Sequence, residues 1–300
     1  MKRMLECIDA SSDYCPCYLA EFGECLTCSL LQGEAFCDCN WTGTCIFQEY
    51  VWLGFKNRRK ILCKIIEKKI INDLLILTLE VPRKVVKCLE KPGSYIFLRN
   101  YHSSSFFDAP IAVMHVDEEC VKVAVQVKGP KTKSLLRNCN DLVYLRGPYW
   151  NGVFGLKQLL QTYHSKCLVI LSGVAQASGV LVINALHKNR NKITVIIDKS
   201  YPFFIKKYIS RDVKVYEEDL SSEFLKDFIS DENVKFIYIG GSDRLQRRIL
   251  ELAQLYNPAV HIGISNNNKL CCGEGICGSC ELNGQKLKGC KVQFDPKEML

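Results

Sequence analysis

From residue 271 the chain reads CCGEGICGSC, and a further cysteine follows at 290 in LKGC. Cys272, Cys277, Cys280 and Cys290 therefore stand in the order C-x4-C-x2-C with a fourth cysteine beyond, the spacing of a plant-type [2Fe–2S] site. This feature constrains the fold most, because four thiolates must converge on one small group and the loop carrying them must wrap closely. Gly273, Gly275 and Gly278 permit positive φ and close backbone approach. Backbone N–H groups can then face the cluster sulfurs and tune the potential. A zinc ribbon or knuckle is the alternative; the x4 gap with interleaved glycines argues against it. Cys271 is left over and is expected to be buried as a small apolar residue.

The other cysteines are unevenly placed. Of the chain's 18, eight lie in the first 45 residues: Cys7, Cys15, Cys17, Cys25, Cys28, Cys37, Cys39 and Cys45. They form two C-x-C pairs and one C-x2-C pair, and all five histidines lie at 102 or beyond, so local ligands are thiolates. Eight thiols suffice for two four-thiolate sites, or for one site with spares. An additional Fe–S cluster is expected in this head, with all-cysteine zinc as the alternative. No run of eighteen apolar residues exists, so no membrane-spanning helix is expected. The start, MKRMLECIDA, lacks the apolar stretch of a secretory signal. A cytoplasmic location follows, where thiols stay reduced and many cysteines indicate metal rather than disulfides. Charge is split in the same way: residues 1–50 hold two basic residues against eight acids, net −6, and the remaining 250 hold 38 against 24, net +14. A basic body suggests an anionic partner or ligand.

Between the cysteine-rich ends the periodicity changes once. From Ile61 to about Leu145 short β runs recur (ILCKII, LLILTLEV, SYIFLR, PIAVMHV, VKVAVQV, DLVYLRG), separated by turns such as Lys91-Pro92-Gly93. They predict a small antiparallel barrel. From Lys166 strands alternate with helices: CLVILSG, ASGVLVINALHKN, KITVIID, helical PFFIKKYI, DVKVYE, SSEFLKDFI, VKFIYIGG and DRLQRRILELAQLY. That alternation predicts a parallel sheet, with ligands at the carboxyl ends of the strands near Gly173 and Gly240-Gly241. The fold class is thus α+β and multi-domain: a cysteine-rich head at 1–50, a barrel at 51–150, a parallel α/β domain at 151–264 and a cluster-binding tail at 265–300. No internal repeat and no G-x-x-x-x-G-K-[ST] or G-x-G-x-x-G loop is present.

Barrel, α/β domain and terminal [2Fe–2S] loop in this order resemble the ferredoxin–NADP reductase superfamily, in particular the electron-transfer subunit of type B dihydroorotate dehydrogenase and sulfide-dehydrogenase-like relatives. Clostridial proteins of this group share a cysteine-rich extension like the one here. The resemblance implies FAD on the barrel, NAD(P)H on the α/β domain and onward electron transfer by the tail cluster. The family's Arg-Pro-x-Ser flavin motif corresponds to Ala109-Pro110-Ile111-Ala112, so its arginine and serine are absent. The Val-Gly-x-Gly-Thr segment corresponds to Lys128-Gly129-Pro130-Lys131-Thr132, where Lys131 or Lys133 can supply positive charge. On this register, Ala109→Arg is expected to tighten FAD. GPYWNGVFG, from Gly147, matches the turn that joins the two domains. The nicotinamide-side turn survives only as Gly173 and Ala177, and the Cys-Gly-Pro motif reads Gly240-Gly241-Ser242. Asp198 at a strand end favours a ribose diol, while Lys199, Lys206 and Lys207 favour a 2′-phosphate; NADH and NADPH stay open.

The resulting expectation is a flavin and iron–sulfur oxidoreductase of the ferredoxin–NAD(P) reductase type. It would exchange electrons with ferredoxin or flavodoxin, small acidic carriers that a basic body attracts, and the acidic head should sit away from the docking face. The alternative is a relay subunit, partnered by a dehydrogenase catalytic subunit or by itself as a homodimer, without its own nucleotide turnover. No catalytic acid, base or nucleophile stands out, and His115 and His164 read as ordinary polar residues. A zinc-dependent nucleic-acid binder, suggested by KNRRK at 56–60, lacks an aromatic-basic recognition motif.

Overall fold

The computed structural model describes residues 6–39, 43–137, 141–282 and 287–299. The head contributes β1 (Glu6–Cys7), α1 (Tyr18–Glu21) and α2 (Ile46–Leu53). Its core is small, built on Cys15, Ala20, Cys28, Leu31 and Ile46. Helix α2 runs across residue 50.

The barrel follows as β2 (Lys60–Ile71), β3 (Leu74–Glu80), α3 (Arg83–Cys88), β4 (Tyr95–Asn100), β5 (Ala109–Asp117), β6 (Cys120–Gln126), α4 (Pro130–Leu136) and β7 (Leu142–Tyr149). Six antiparallel strands close in the order β2-β3-β6-β5-β4-β7, which leaves no free edge. Alternation decides which residues face inward. Leu75, Leu77 and Leu79 of β3 fill the barrel with Val113, Val121 and Val123. Leu74, Met114 and Ala124 point out of the same strands and join the core of the next domain. The two domains therefore share an apolar interface.

That domain comprises β8 (Val153–Phe154), α5 (Leu156–Leu160), β9 (Lys166–Leu171), α6 (Gln176–Lys188), β10 (Lys192–Asp198), β11 (Lys214–Glu218), α7 (Ser222–Ile229), β12 (Val234–Gly240), α8 (Asp243–Tyr256) and β13 (His261–Ser265). The sheet order is β11-β10-β9-β12-β13-β8, parallel except for β8. Connections reverse direction between β9 and β12, which makes the crevice beyond their carboxyl ends the switch point where such sheets bind ligands. PFFIKKYI does not form the predicted helix. Only one 3-10 turn occurs, at Lys206–Tyr208, because the segment is held by burying Ile205, with Phe203 and Phe204, against the domain core. The last strand, β14 (Val292–Gln293), leaves this domain and pairs with β1 of the head. Among the described residues, no helix is long and apolar enough to cross a membrane.

Candidate functional site

A cleft of about 350 Å³ opens between barrel and α/β domain, at the carboxyl ends of β9 and β12. Its barrel wall is Tyr95, Pro110, Ile111, Ala112, Gln126 and Thr132; its other wall is Val174, Ala175, Ser178, Ser265 and Asn266 to Asn268, with Leu270 beside them. Four residues singled out from the sequence, Pro110, Ile111, Ala112 and Thr132, thus meet in one place. Thr132 Oγ1 also accepts from the backbone N–H of Gly129 (3.2 Å), which fixes the turn that enters α4. Gly173 (φ +59°) precedes the Val174-Ala175 wall. Gly241 backs onto Ser265, to whose Oγ its N–H donates (3.4 Å). A larger depression of about 430 Å³ lies at the opposite, amino end of the sheet, among Lys166, Lys192 and Lys214. Ligands of parallel sheets bind at the other end, so the smaller cleft is the candidate site.

Two expectations change here. Ala109 is only 3% exposed and faces the aliphatic barrel core, so an arginine there would bury a charge rather than reach a cofactor. Lys131 stands near that strand end instead: its Nζ donates to the Asp108 carbonyl (3.0 Å) and lies over the Phe106 ring. Lys133 faces a separate open depression with Asn100, Phe107, Ser134 and Arg137. On the nucleotide side, the Asp198 carboxylate accepts from Ser172 Oγ (2.7 Å) and the Ser200 N–H (3.0 Å). Burial pushes its pKa up, but these hydrogen bonds outweigh it and hold the group below its ordinary 3.8. Lys199 is paired with Asp219 (2.9 Å).

The cleft offers a fit to a flat heteroaromatic ring. Its walls are mostly apolar, and Tyr95 lines it, with a hydroxyl that is buried on the Cys290 side and has no hydrogen-bond partner. Burial drives the pKa of that phenol well above 10, and neighbouring Cys290 adds to the effect. Tyr95 stacks on Tyr149 (5.1 Å between centroids) and meets Phe97 edge-on, with Leu270 packed against the three.

The tail loop lies against the far side of this aromatic layer. Gly273 (φ +73°) is pressed so closely on it that a Cβ would come within 2.6 Å of the Tyr149 ring and 2.9 Å of Phe97. Arg146 Nη1 donates to the Cys272 carbonyl (2.8 Å). Asn151, fully buried in the domain-joining turn, donates to the carbonyls of Gly289 and Val292 (both 2.8 Å) and so flanks Cys290. Within the loop, the Cys272 thiol touches those of Cys290 and Cys277, and Cys280 also touches Cys290. The contact with Cys290, helped by the backbone N–H groups of Glu274 and Cys277, lowers Cys272 to about 4 against the cost of burial. The same kind of contact lowers Cys280 to about 7, while Cys290, buried and donating to both, is raised. All four predicted tail ligands are therefore brought together, with N–H groups aimed at sulfur. Cys271 is exposed rather than buried, because the loop turns its neighbour Cys272 inward.

Among the described residues, no three His, Cys, Asp or Glu side chains are gathered into the geometry of a single metal ion. A lone zinc demands four sulfurs about 2.3 Å from one point, whereas a [2Fe–2S] group spreads its thiolates over two irons. Cys272, Cys277, Cys280 and Cys290 supply the four thiolates that either group requires.

Residues that sequence reasoning passed over hold the head to this loop. Arg58, from the basic run KNRRK, is fully buried rather than on the surface. It bonds Asp9 (2.8 Å) and Glu274 (3.0 Å) and lies over the Tyr14 and Tyr149 rings. Lys291, 1% exposed, joins the same Asp9 and Glu274. Nothing in a one-dimensional reading marks a lysine after a cysteine, or the middle of a basic run, as buried. Of the eight head cysteines, Cys7, Cys15, Cys17 and Cys25 line one small cavity. Cys28 is buried in the head core, whereas Cys37, Cys39 and Cys45 are exposed, the first two 3.5 Å apart. The head packs on the tail loop. His115 stacks on Tyr208 (4.9 Å) outside the cleft.

No family model matches the chain. It is 23% identical over 214 residues (67% of this chain, 77% of the relative) to the probable dihydroorotate dehydrogenase B (NAD(+)) electron transfer subunit of Methanopyrus kandleri. It is 21% identical over 244 residues (73% and 79%) to an uncharacterized protein from the adh 3′ region of Clostridium beijerinckii. Among solved structures, one from the NADH-dependent reduced ferredoxin-NADP oxidoreductase superposes with a TM-score of 0.62 at 20% identity, over 79% of this chain and 89% of the other. The ferredoxin reductase of carbazole 1,9a-dioxygenase gives 0.53 at 13% identity, over 68% and 69%. With its closed six-stranded barrel and α/β partner, the chain has the fold seen in these ferredoxin reductase structures, and it is similar in sequence to dihydroorotate dehydrogenase B electron-transfer subunits.

Proposed function

We propose that the protein is a flavin- and iron–sulfur-dependent oxidoreductase that moves electrons between NAD(P)H and a one-electron carrier, ferredoxin or flavodoxin. The observation that carries this reading is the shared wall: Tyr95 and Leu270 line the cleft and belong to the aromatic layer on which the tail loop rests. A cofactor in the cleft and a cluster on Cys272, Cys277, Cys280 and Cys290 would be separated by about one side chain. When bound, FAD supplies the change between two-electron and one-electron chemistry, and the cluster supplies one-electron storage.

The chain's own residues do the rest. Pro110, Ile111 and Ala112 form an apolar wall for a ring, and Tyr95 lines the cleft beside them. Asn267 donates to the Gly241 carbonyl (2.6 Å), which sets the shape of the nucleotide side. Asp198, anionic and beside Ser172, suits a ribose diol, and with Lys199 engaged by Asp219 this favours NADH. Ile276 is 46% exposed next to exposed Cys277 and offers an apolar edge for a docking carrier.

The names of the relatives favour a second reading, in which the chain is a relay subunit served by a dehydrogenase catalytic subunit. Anaerobic purification followed by flavin, iron and sulfide quantitation tests the common core; a chain free of all three, and unable to take up added FAD, removes both readings. NAD(P)H oxidation by the purified chain with a neutral dye supports the reductase; dye reduction only in the presence of a catalytic subunit supports the relay.

A further inference from the structure

We propose that Cys7, Cys15, Cys17 and Cys25 form a second, separate thiolate metal centre, set one side chain away from the tail loop. The four come from three segments: β1, the Cys15-Pro16-Cys17 turn and the chain beyond α1. They line a single cavity with room, about 10 Å³, for one water-sized body. The rest of the wall is mainly apolar, including Leu19, Ala20, Leu26 and Ile46. Asp9 also borders it, but its carboxylate is taken by Arg58 and Lys291. Thr27 borders it as well, and its hydroxyl is buried without a partner. The backbone N–H groups of Thr27 and Cys28 are aimed at the Cys25 sulfur, the arrangement that steadies a metal-bound thiolate.

The rival reading is that these are buried cysteines acting as small hydrophobes. Cys63 and Cys167 do that, each packed in the core of its domain. The head cysteines differ because four of them surround a void. The head also needs a staple. Its apolar core is five residues, none of its described cysteines is in a disulfide, and a module of this size gains little from burial alone. A soft cation supplies both the missing cohesion and the counter-charge for thiolates in an apolar wall. The exposed Cys37, Cys39 and Cys45 and the core residue Cys28 are outside this set.

Position gives the site a consequence. Leu19 walls the cavity and also touches the tail: a Cβ on Gly275 would stand 3.0 Å from its methyls. A single thiolate-bound iron here stands beside the tail loop as a one-electron site; a zinc ion here anchors the tail mechanically. Only the first consequence rests on the proposed function.

The test uses full-length protein purified anaerobically, with iron, zinc and sulfide counted per chain and metal–sulfur coordination read by X-ray absorption. Cys17→Ser and Cys7→Ser are expected to lose the same complement of metal. Cys28→Ser, Cys37→Ser, Cys39→Ser and Cys45→Ser are expected to keep it. Cys277→Ser is expected to lose tail iron alone, so a failure of the tail assignment shows separately. Chelator-stripped protein given Zn²⁺ alone, or ferrous iron alone, identifies the metal by which restores four-sulfur coordination. Folding of each variant is checked by near-UV circular dichroism; where Cys17→Ser is unfolded, Zn²⁺ protection of Cys7 and Cys25 from alkylation in the wild-type protein decides. Full metal content in folded Cys17→Ser, loss in Cys37→Ser, or no protection overturns the proposal.

Discussion

Tyr95 shows what a single atom can disclose. Its hydroxyl is buried and unpaired on the Cys290 side of the aromatic layer, and such a group costs free energy until something bonds it. Tyr95→Phe is therefore expected to leave the unfolding midpoint of the flavin-free protein unchanged or slightly higher. The same change is expected to leave FAD affinity the same, because a hydroxyl with no exposed surface does not face the open cleft. Titration of apoprotein with FAD checks it, and a loss of about fivefold or more, the value of one net hydrogen bond, would show that the hydroxyl bonds the flavin. Asp198 makes a second residue-scale case. Its folded pKa lies below 3.8, so the carboxylate is charged at every pH above that and loses its charge only as pH falls through the lowered value. Preference for NADH over NADPH is expected to be flat from neutral pH to pH 5. Asp198→Asn is expected to lower the KM for NADPH, measured by steady-state oxidation of each nucleotide; no change in the ratio would separate Asp198 from the ribose.

At the scale of elements, the tail loop is shaped by what it rests on. Gly273 adopts a left-handed conformation and has no room for a methyl between Tyr149 and Phe97. Gly273→Ala combines backbone strain of about 1–3 kcal/mol with a clash that the buried rings cannot relieve. Iron bound by the tail is expected to fall sharply, read from the visible absorption of anaerobically purified protein, while the barrel stays folded. A variant with a full iron complement would show that the loop reshapes itself on binding. Strand β14, after Cys290, pairs with β1, which carries Cys7. One short ladder thus ties both cysteine groups together, and a truncation at residue 48 would cut through α2 and break it.

For the whole molecule, the buried square of Asp9, Arg58, Glu274 and Lys291 joins head, barrel approach and tail. Removing one partner strands buried charge, at a cost of about 3–5 kcal/mol. Arg58→Met is expected to lower the unfolding midpoint and to release the head, which limited proteolysis detects; wild-type resistance would show that the apolar contacts suffice. Long-range charge acts in the other direction. The body carries net +14 beyond residue 50, and the head at −6 lies on the tail loop. Association with an acidic carrier is expected to slow steeply with salt, as the Debye length falls from about 10 Å at 0.1 M to about 3 Å at 1 M. Reduction of a neutral dye is expected to hold constant. Stopped-flow rates over a salt series decide, and salt-independent carrier rates would remove the electrostatic case.

Local pattern alone determined the domain order, because alternation in LLILTLE and helical spacing in DRLQRRILELAQLY each demand one kind of buried face. It also pointed to the tail's proposed four-cysteine set, since spacing along a glycine-rich loop restricts which thiols can meet. Tertiary structure decided the rest. Ala109 faces the barrel core because strand parity, invisible until the strands pair, puts it inside. Arg58 is buried because partners 49 and 216 residues away neutralise it. Four of eight head cysteines surround one cavity because β1 is drawn to β14 from the other end of the chain. Contacts between distant segments are set by three-dimensional packing and charge compensation, and neither leaves a mark in the residues that flank them.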